Sequence, residues 1–249
     1  ANTYNVTVTD NKGCSVFSSV TITEPGQPLT LTPAQTDLSC FQSNDGIASV
    51  SVTGGSFPYT YAWTNTTSTG NSATGLAAGN YSVTVTDNNT CTSSSNFVLT
   101  EPSQLLLTET HIPEPCFGDA VATMDVTANG GTPGYTYNWS PNVSSGTSAS
   151  SLSAGLYSVT VVDTKGCTVS VSATITEPAV LNVSALPTAA LCFGQSNGSI
   201  ASTVSGGTPA YSYSATPDGV NFVSSGNGQF NNLAAATYTV LVVDINNCT

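Results

Sequence analysis

Polar and apolar residues alternate along most of this chain. In YSVTVTD, the pattern places Tyr81, Val83 and Val85 on one face of a strand and leaves hydroxyl side chains on the other. Such runs are separated by turn-rich segments about every eight to twelve residues, without a 3.6-residue periodicity. The pattern predicts an all-β protein built of antiparallel β-sandwiches, each with about seven short strands.

The strand pattern recurs as a repeat. One string occurs four times, as YNVTVTDNKGC, YSVTVTDNNTC, YSVTVVDTKGC and YTVLVVDINNC, beginning at Tyr4, Tyr81, Tyr157 and Tyr238. A second string begins with two glycines at Gly54, Gly130 and Gly206, at intervals of 76 residues. The period is therefore 76 residues. The last unit has extra residues, which we place on a loop beginning at Thr216.

Four segments follow from this period. Residues 1–25 form the C-terminal part of a truncated repeat, residues 26–102 and 103–178 form two repeats, and residues 179–249 form a repeat that lacks its last strand. The joints between them are the short TEP strings at Thr23, Thr100 and Thr176.

Each repeat has features of an immunoglobulin-like sandwich. Leu76, Gly79 and Tyr81 are arranged like the corner before the sixth strand, where a tyrosine hydroxyl bonds to the backbone. Trp63 and Trp139 occupy the position of a third-strand core residue. The last unit has Ala215 there instead, and Phe222 and Phe230 are candidates to fill the space.

Composition excludes several classes of partner. The 249 residues contain two Lys and no Arg, and the formal charge is -12. Nucleic-acid binding needs cations that neutralise phosphates, so we predict no nucleic-acid partner. The sequence also has no apolar run long enough to span a bilayer, so we predict no membrane insertion in this fragment.

The seven cysteines indicate disulfides in an oxidising compartment, because the CxxC pairs typical of zinc sites are absent. Pairing within a repeat (Cys40 with Cys91) and pairing across a joint (Cys14 with Cys40) differ by only about 0.6 kcal/mol in chain entropy. An immunoglobulin-like order favours a third arrangement, which joins successive repeats through Cys40 with Cys167 and Cys116 with Cys248. All seven are disulfide candidates: Cys14, Cys40, Cys91, Cys116, Cys167, Cys192 and Cys248.

The acidic residues recur with the repeat. Asp10, Asp87, Asp163 and Asp244 precede a cysteine by four residues, where an aspartate commonly bonds to its own backbone. This structural role is the favoured interpretation. The alternative is calcium at the joints, held by Glu24, Glu101 or Glu177, although one glutamate per joint is few for an ion that takes six to eight oxygens. No other cofactor or metal is predicted.

Catalysis is not predicted. His111 is the single histidine and occurs in one unit only, so no Ser-His-Asp or Cys-His arrangement recurs with the repeat. We interpret it as an exposed strand residue. A pair of carboxylates of the glycosidase kind is disfavoured because turns and joints account for the acids.

Covalent glycans are expected on the hydroxyl-rich faces. Nine Asn-x-Ser/Thr sequons are candidates for attachment: Asn5, Asn65, Asn80, Asn88, Asn138, Asn142, Asn182, Asn197 and Asn247.

Taken together, the motifs CFGxxxG, GGTPxYTYxW, LxAGxYSVTVTD and TEP resemble the SprB repeat family, found in long surface adhesins of gliding Bacteroidota. The resemblance covers essentially the whole chain. It implies an extracellular location at the cell surface, export by type IX secretion, and attachment to surfaces or polysaccharides.

We therefore expect a non-enzymatic structural or adhesive array that forms an extended rod or fibril, associates with itself, and mediates surface attachment or gliding. The alternative is a carbohydrate-binding array appended to a secreted polysaccharide-degrading enzyme, in which Tyr59, Tyr135 and Tyr211 stack on sugar rings. Alternation places Tyr59 on the same face as Tyr61 and Trp63, which favours a core position for this face.

Overall fold

The structure, a computed structural model, describes residues 1–24 and 26–249, so Pro25 of the first TEP joint lies outside the described residues. The described residues contain twenty β-strands and no helix. Every strand pairing is antiparallel. The prediction of an all-β, immunoglobulin-like fold is confirmed.

The chain divides into two compact units. The first contains Ala1–Gln104 together with the short segments Gly130–Thr132 and Lys165–Cys167. The second contains Leu105–Asn129, Pro133–Thr164 and Thr168–Thr249.

The N-terminal segment is a β-hairpin. Strands β1 (Asn2–Thr9) and β2 (Ser15–Ile22) pair over their full length, and all their residues are exposed.

The first repeat has six strands: β3 (Thr30–Thr36), β4 (Gly46–Thr53), β5 (Thr60–Trp63), β6 (Ser72–Leu76), β7 (Gly79–Thr86) and β8 (Thr92–Leu99). They form the sheets β3-β4-β6 and β5-β7-β8, which pack around Val50, Val83 and Phe97. The expected number of about seven strands was wrong for this repeat. The segment between β5 and β6 is polar and rich in turn residues, so it forms no additional strand.

The second repeat follows the same order: β9 (Leu106–Ile112), β10 (Ala122–Asn129), β11 (Thr136–Ser140), β12 (Ser148–Leu152), β13 (Gly155–Val162) and β14 (Thr168–Ile175). Its sheets are β9-β10-β12 and β11-β13-β14, and its core contains Met124, Trp139 and Ile175.

The third repeat contains β15 (Asn182–Thr188), β16 (Gly198–Ser205), β17 (Ser212–Thr216), β18 (Val223–Ser225), β19 (Gln229–Leu233) and β20 (Thr239–Val243). Its sheets are β15-β16-β19 and β18-β17-β20. The extra residues do not form only a loop, because they include β18. The carboxylate of Asp218 accepts the N–H groups of Val220 and Asn221, and this turn returns the chain alongside β17.

The third core differs from the second by a compensating exchange of side chains. Trp139 and Ala149 are buried in the second repeat, whereas the equivalent positions of the third are Ala215 and Phe230, both also buried. Phe230 therefore fills the space that the missing tryptophan leaves. Phe222, the other candidate, is 51% exposed and does not.

The predicted tyrosine corner is confirmed in two repeats. The hydroxyl of Tyr81 donates to the carbonyl of Ala77 at 3.1 Å, and that of Tyr157 donates to Ser153 at 3.0 Å. Each bond fixes the turn that leads into the central strand of its sheet, β7 or β13.

Candidate functional site

Two recurring elements contain the cysteines of the three sandwiches. We call residues 38–45, 114–121 and 190–197 the Cys loops, which connect the first two strands of each repeat. We call residues 10–14, 87–91, 163–167 and 244–248 the Asp turns.

Two disulfides join these elements. Cys40 bonds to Cys167 with a Cα–Cα distance of 5.7 Å, and Cys116 bonds to Cys248 with a Cα–Cα distance of 5.6 Å. Each bond links the Cys loop of one repeat to the Asp turn of the next, as the immunoglobulin-like order had suggested. In a chain-entropy estimate, closing either long loop stabilises the fold by about 5 kcal/mol.

Backbone contacts surround each disulfide. Sγ of Cys167 lies 3.3 Å from the carbonyl oxygen of Ser39, and Sγ of Cys248 lies 3.3 Å from that of Pro115. The side-chain amide of Asn246 donates to the same Pro115 oxygen at 3.0 Å. The residue before the loop cysteine therefore supplies an acceptor for the incoming Asp turn.

The Asp turns are held by their aspartates, which confirms the structural interpretation of these acids. Oδ1 of Asp87 accepts the N–H groups of Asn89 and Cys91 at 2.9 and 2.8 Å. Oδ2 accepts the N–H of Ser56 at 2.9 Å, which ties the turn to the Gly-Gly segment of the same repeat. Sequence reasoning missed this second bond, although the two motifs recur together.

The same arrangement recurs in the third repeat, where Asp244 accepts the N–H groups of Asn246, Cys248 and Thr208. Both aspartates are almost fully buried. Because backbone N–H groups stabilise the charged form, the pKa of each carboxyl is lowered, chiefly by Ser56 for Asp87 and by Thr208 for Asp244.

The glutamates of the TEP joints hold the Cys loops. Oε2 of Glu101 accepts the N–H of Gln42 at 2.5 Å, and Oε2 of Glu177 accepts that of Gly118 at 2.8 Å. Glu24 instead contacts the N-terminal amino group of Ala1 at 2.7 Å. Sequence reasoning considered these glutamates as calcium ligands and missed their anchoring role, although the 59-residue spacing from loop to glutamate is the same in both repeats. Across the described part of the chain, no three His, Cys, Asp or Glu side chains are grouped to hold a metal.

The Cys loops and the strands around them carry a recognisable sequence signature. The sequence profile of the SprB repeat matches residues 32–68, 108–144 and 187–219. Each match begins in the first strand of a sandwich and includes its Cys loop. The chain belongs to the SprB repeat family. The resemblance inferred from the motifs is thereby confirmed.

Other comparisons add little. No curated protein sequence matches the chain. A Dscam structure on isoform specificity shares 17% identity, with a TM-score of 0.29 over 66% of this chain and 50% of that one. The structure of the N-terminal eight Ig domains of Down syndrome cell adhesion molecule isoform 1.30.30 shares 10% identity, with a TM-score of 0.41 over 97% of this chain and 43% of that one. The chain thus spans half or less of each.

The tyrosines considered for sugar stacking lie half-buried at the edge of the SprB repeat cores. Tyr59 packs against the first core together with Tyr61 and Trp63, and its hydroxyl donates to the carbonyl of Gly54 at 2.6 Å. Tyr135 packs against the second core, and Tyr211 donates to Gly206 at 2.7 Å. Their positions fit the core interpretation of this face.

All nine sequon asparagines of the SprB repeats are exposed, so each side chain reaches solvent. Two of them use their amide hydrogens locally, since Asn65 donates to the carbonyl of Asn80 and Asn182 donates to that of Val180. Oδ1 of Asn197 accepts the N–H of Leu191 and so helps to shape the third Cys loop.

His111 lies exposed on β9, as predicted, with Nδ1 3.0 Å from Oε2 of Glu109. The two side chains are on the same face of one strand.

Acid is expected to destabilise the SprB repeats. Bonds from Ser39 and Ser43 lower the pKa of Asp45 from 3.8 to about 2, and the pKa values of Asp87 and Asp244 are lowered as well. Since the folded pKa lies below the unfolded one, the stabilisation is complete above the unfolded pKa and is lost as pH falls through the folded pKa. We expect the urea midpoint, followed by circular dichroism, to fall between about pH 4 and pH 2.

The matched variant is Asp87→Asn, which cannot gain charge as pH rises. We expect it to have a lower urea midpoint than the natural chain at neutral pH and a shallower decline in acid. Equal midpoints for the natural chain at neutral pH and near pH 2 would contradict the prediction.

Proposed function

We propose that this chain is a mechanical and adhesive segment of an exported cell-surface protein. In this proposal, SprB repeats form an extended rod or fibril that attaches the cell to surfaces or polysaccharides and serves attachment or gliding. The observation that carries it is the pair of disulfides between successive repeats. Covalent links of this kind suit a chain that bears tension.

An extracellular location is supported by the same disulfides, which persist in oxidising compartments. Within residues 1–24 and 26–249, no helix is long and apolar enough to cross a membrane. Export by type IX secretion and covalent glycans on the exposed sequons belong to the same proposal.

The outer faces of the sheets supply the proposed contacts. Hydroxyl groups pair across neighbouring strands, as in Thr84 with Ser94 at 2.9 Å and Thr160 with Ser170 at 2.8 Å. With two Lys in the whole chain, attraction to anionic surfaces is weak, and hydrogen bonds to neutral polysaccharide hydroxyls are the available interaction. Each contact is weak, and repetition along the array gives strength through multivalency.

The test is attachment of beads to a neutral polysaccharide film under flow. Beads coated with the oxidised chain should attach, and doubling the coating density should raise attachment more than twofold because binding is multivalent. The matched control carries Thr84→Val and Thr160→Val, which remove two outward hydroxyls and keep β-branched side chains. It should attach less. Attachment equal to that of albumin-coated beads would refute the adhesive role.

A further inference from the structure

Three cysteines, Cys14, Cys91 and Cys192, are free and exposed. Two of them occupy positions whose equivalents are bonded. The 76-residue interval places Cys192 where Cys116 lies one repeat earlier, and Cys91 lies in the Asp turn equivalent to that of Cys167. Cys192 and Cys91 are therefore the two different halves of the bond that the structure forms twice.

The third Cys loop already has the conformation of the bonded loops. The N–H of Gln195 donates to the carbonyl of Cys192 at 3.2 Å, as Ser43 does to Cys40 at 3.1 Å. The left-handed φ of 73° at Gly194 matches the φ of 75° at the equivalent Gly118. Binding at this loop therefore requires little backbone rearrangement.

The third loop also exposes apolar surface. Phe193 is fully exposed, whereas its equivalents Phe41 and Phe117, beside bonded cysteines, are 38% and 53% exposed. Cys192 and Phe193 contribute to the lining of a cleft of about 880 Å³, which Ile200 and Leu233 also line. A partner bound at this loop would cover part of this surface.

The Asp turn of Cys91 presents the matching donor. In the bonded third repeat, the amide of Asn246 donates to Thr208 Oγ1 within its own repeat and to the carbonyl of Pro115 across the joint. Asn89 is equivalent to Asn246, and its amide donates to Ser56 Oγ at 2.8 Å in the same way. Its second amide hydrogen is placed for the carbonyl of Leu191, which is equivalent to Pro115.

We propose that the third Cys loop binds the Asp turn of residues 87–91 in a second copy of this chain, with a disulfide between Cys192 and the Cys91 of that copy. The amide of Asn89 donates to the carbonyl of Leu191, and chains join head to tail through the joint that already links successive repeats. This interaction does not depend on what the array adheres to.

The disulfide forms by exchange with a small oxidised disulfide such as oxidised glutathione. The thiolate of Cys192 attacks it, forming a mixed disulfide and releasing one reduced glutathione. The thiolate of Cys91 then attacks the Cys192 sulfur and expels the second glutathione. Two thiols lose two protons and two electrons, and one oxidised glutathione becomes two reduced molecules.

The test incubates the purified chain at high concentration in a glutathione redox buffer and separates the products on a non-reducing gel. We expect a ladder of dimers and higher species, with a chymotryptic cross-link between Cys192 and Cys91. Cys192→Ser and Cys91→Ser should each abolish the ladder, and the matched control Cys14→Ser should retain it. Asn89→Ala should slow dimer formation about fivefold, the effect of losing one hydrogen bond.

Circular dichroism establishes that each variant is folded, which is expected because all three replaced cysteines are exposed. An oxidised chain that remains monomeric overturns the proposal. So does a ladder in which Cys192 is joined to Cys192 or Cys14, because the linkage would then not follow the geometry of the bonded joints. An equal dimerisation rate for Asn89→Ala would remove the assigned role of that amide.

Discussion

Pulled between Ala1 and Thr249, the unfolded chain is expected to reach about 320 Å with both disulfides intact and about 850 Å after reduction, at about 3.4 Å per residue. The difference arises because the bonds interleave, with Cys116 lying between Cys40 and Cys167 in sequence. Under load, tension follows the shortest covalent path, which crosses to Cys167, returns along the chain to Cys116, and crosses again to Cys248. Single-molecule force spectroscopy of the oxidised and reduced chain measures both lengths.

Two single variants sharpen this measurement. Cys116→Ser leaves one bond and should extend to about 420 Å, and Cys40→Ser should extend to about 400 Å. Bonds within repeats, from Cys40 to Cys91 and from Cys116 to Cys167, would instead give about 500 Å for the oxidised natural chain. An extension near that value would show that the joints are not disulfide-linked.

Phe230→Ala is expected to destabilise the third repeat by about 3–5 kcal/mol, because it leaves a cavity opposite Ala215. Phe230 is 2% exposed and pairs with Ile200 across the sheet. Hydrogen exchange of the amides in β16 and β19 should accelerate at least about a hundredfold, since each 1.4 kcal/mol is a factor of ten. The matched control is Phe222→Ala at an exposed position, and an equal effect of both variants would contradict the assignment.

The second repeat allows the reciprocal experiment. Trp139→Ala should cost about 3–5 kcal/mol through a cavity, and Ala149→Phe should cost about 1–3 kcal/mol through overpacking. The double variant reproduces the pair found in the third repeat, Ala215 with Phe230. It should be more stable than the sum of the single effects predicts, and strict additivity would show that the two sites do not share one space.

The third core shows how far sequence reasoning reaches. The sequence reveals that Ala215 replaces a tryptophan, so the need for a substitute follows directly. It offers both Phe222 and Phe230, because both lie in the inserted segment. The choice depends on the register of β19 against β16, which a turn at Asp218 and the added strand β18 establish. Register is a long-range property, and local alternation does not determine it.

The joints illustrate the same division. Glu101 and Glu177 were identified from sequence as joint residues, with calcium as one role for them. Their actual partners are backbone N–H groups of the Cys loops, which contact the carboxylates only after the sandwich has closed. Buried aspartates such as Asp87 were correctly assigned to turns, because an aspartate bonds within a few residues of its own position.

The sequence by itself determined the strand alternation, the repeat period, the family and the two classes of cysteine, because each of these depends on residues close together or on copies compared in one line. Only the tertiary structure decided which cysteines bond, since the competing loops differ by a fraction of a kcal/mol in chain entropy. The deciding factor is the packing that brings a Cys loop and the next repeat's Asp turn within 6 Å of each other at their Cα atoms.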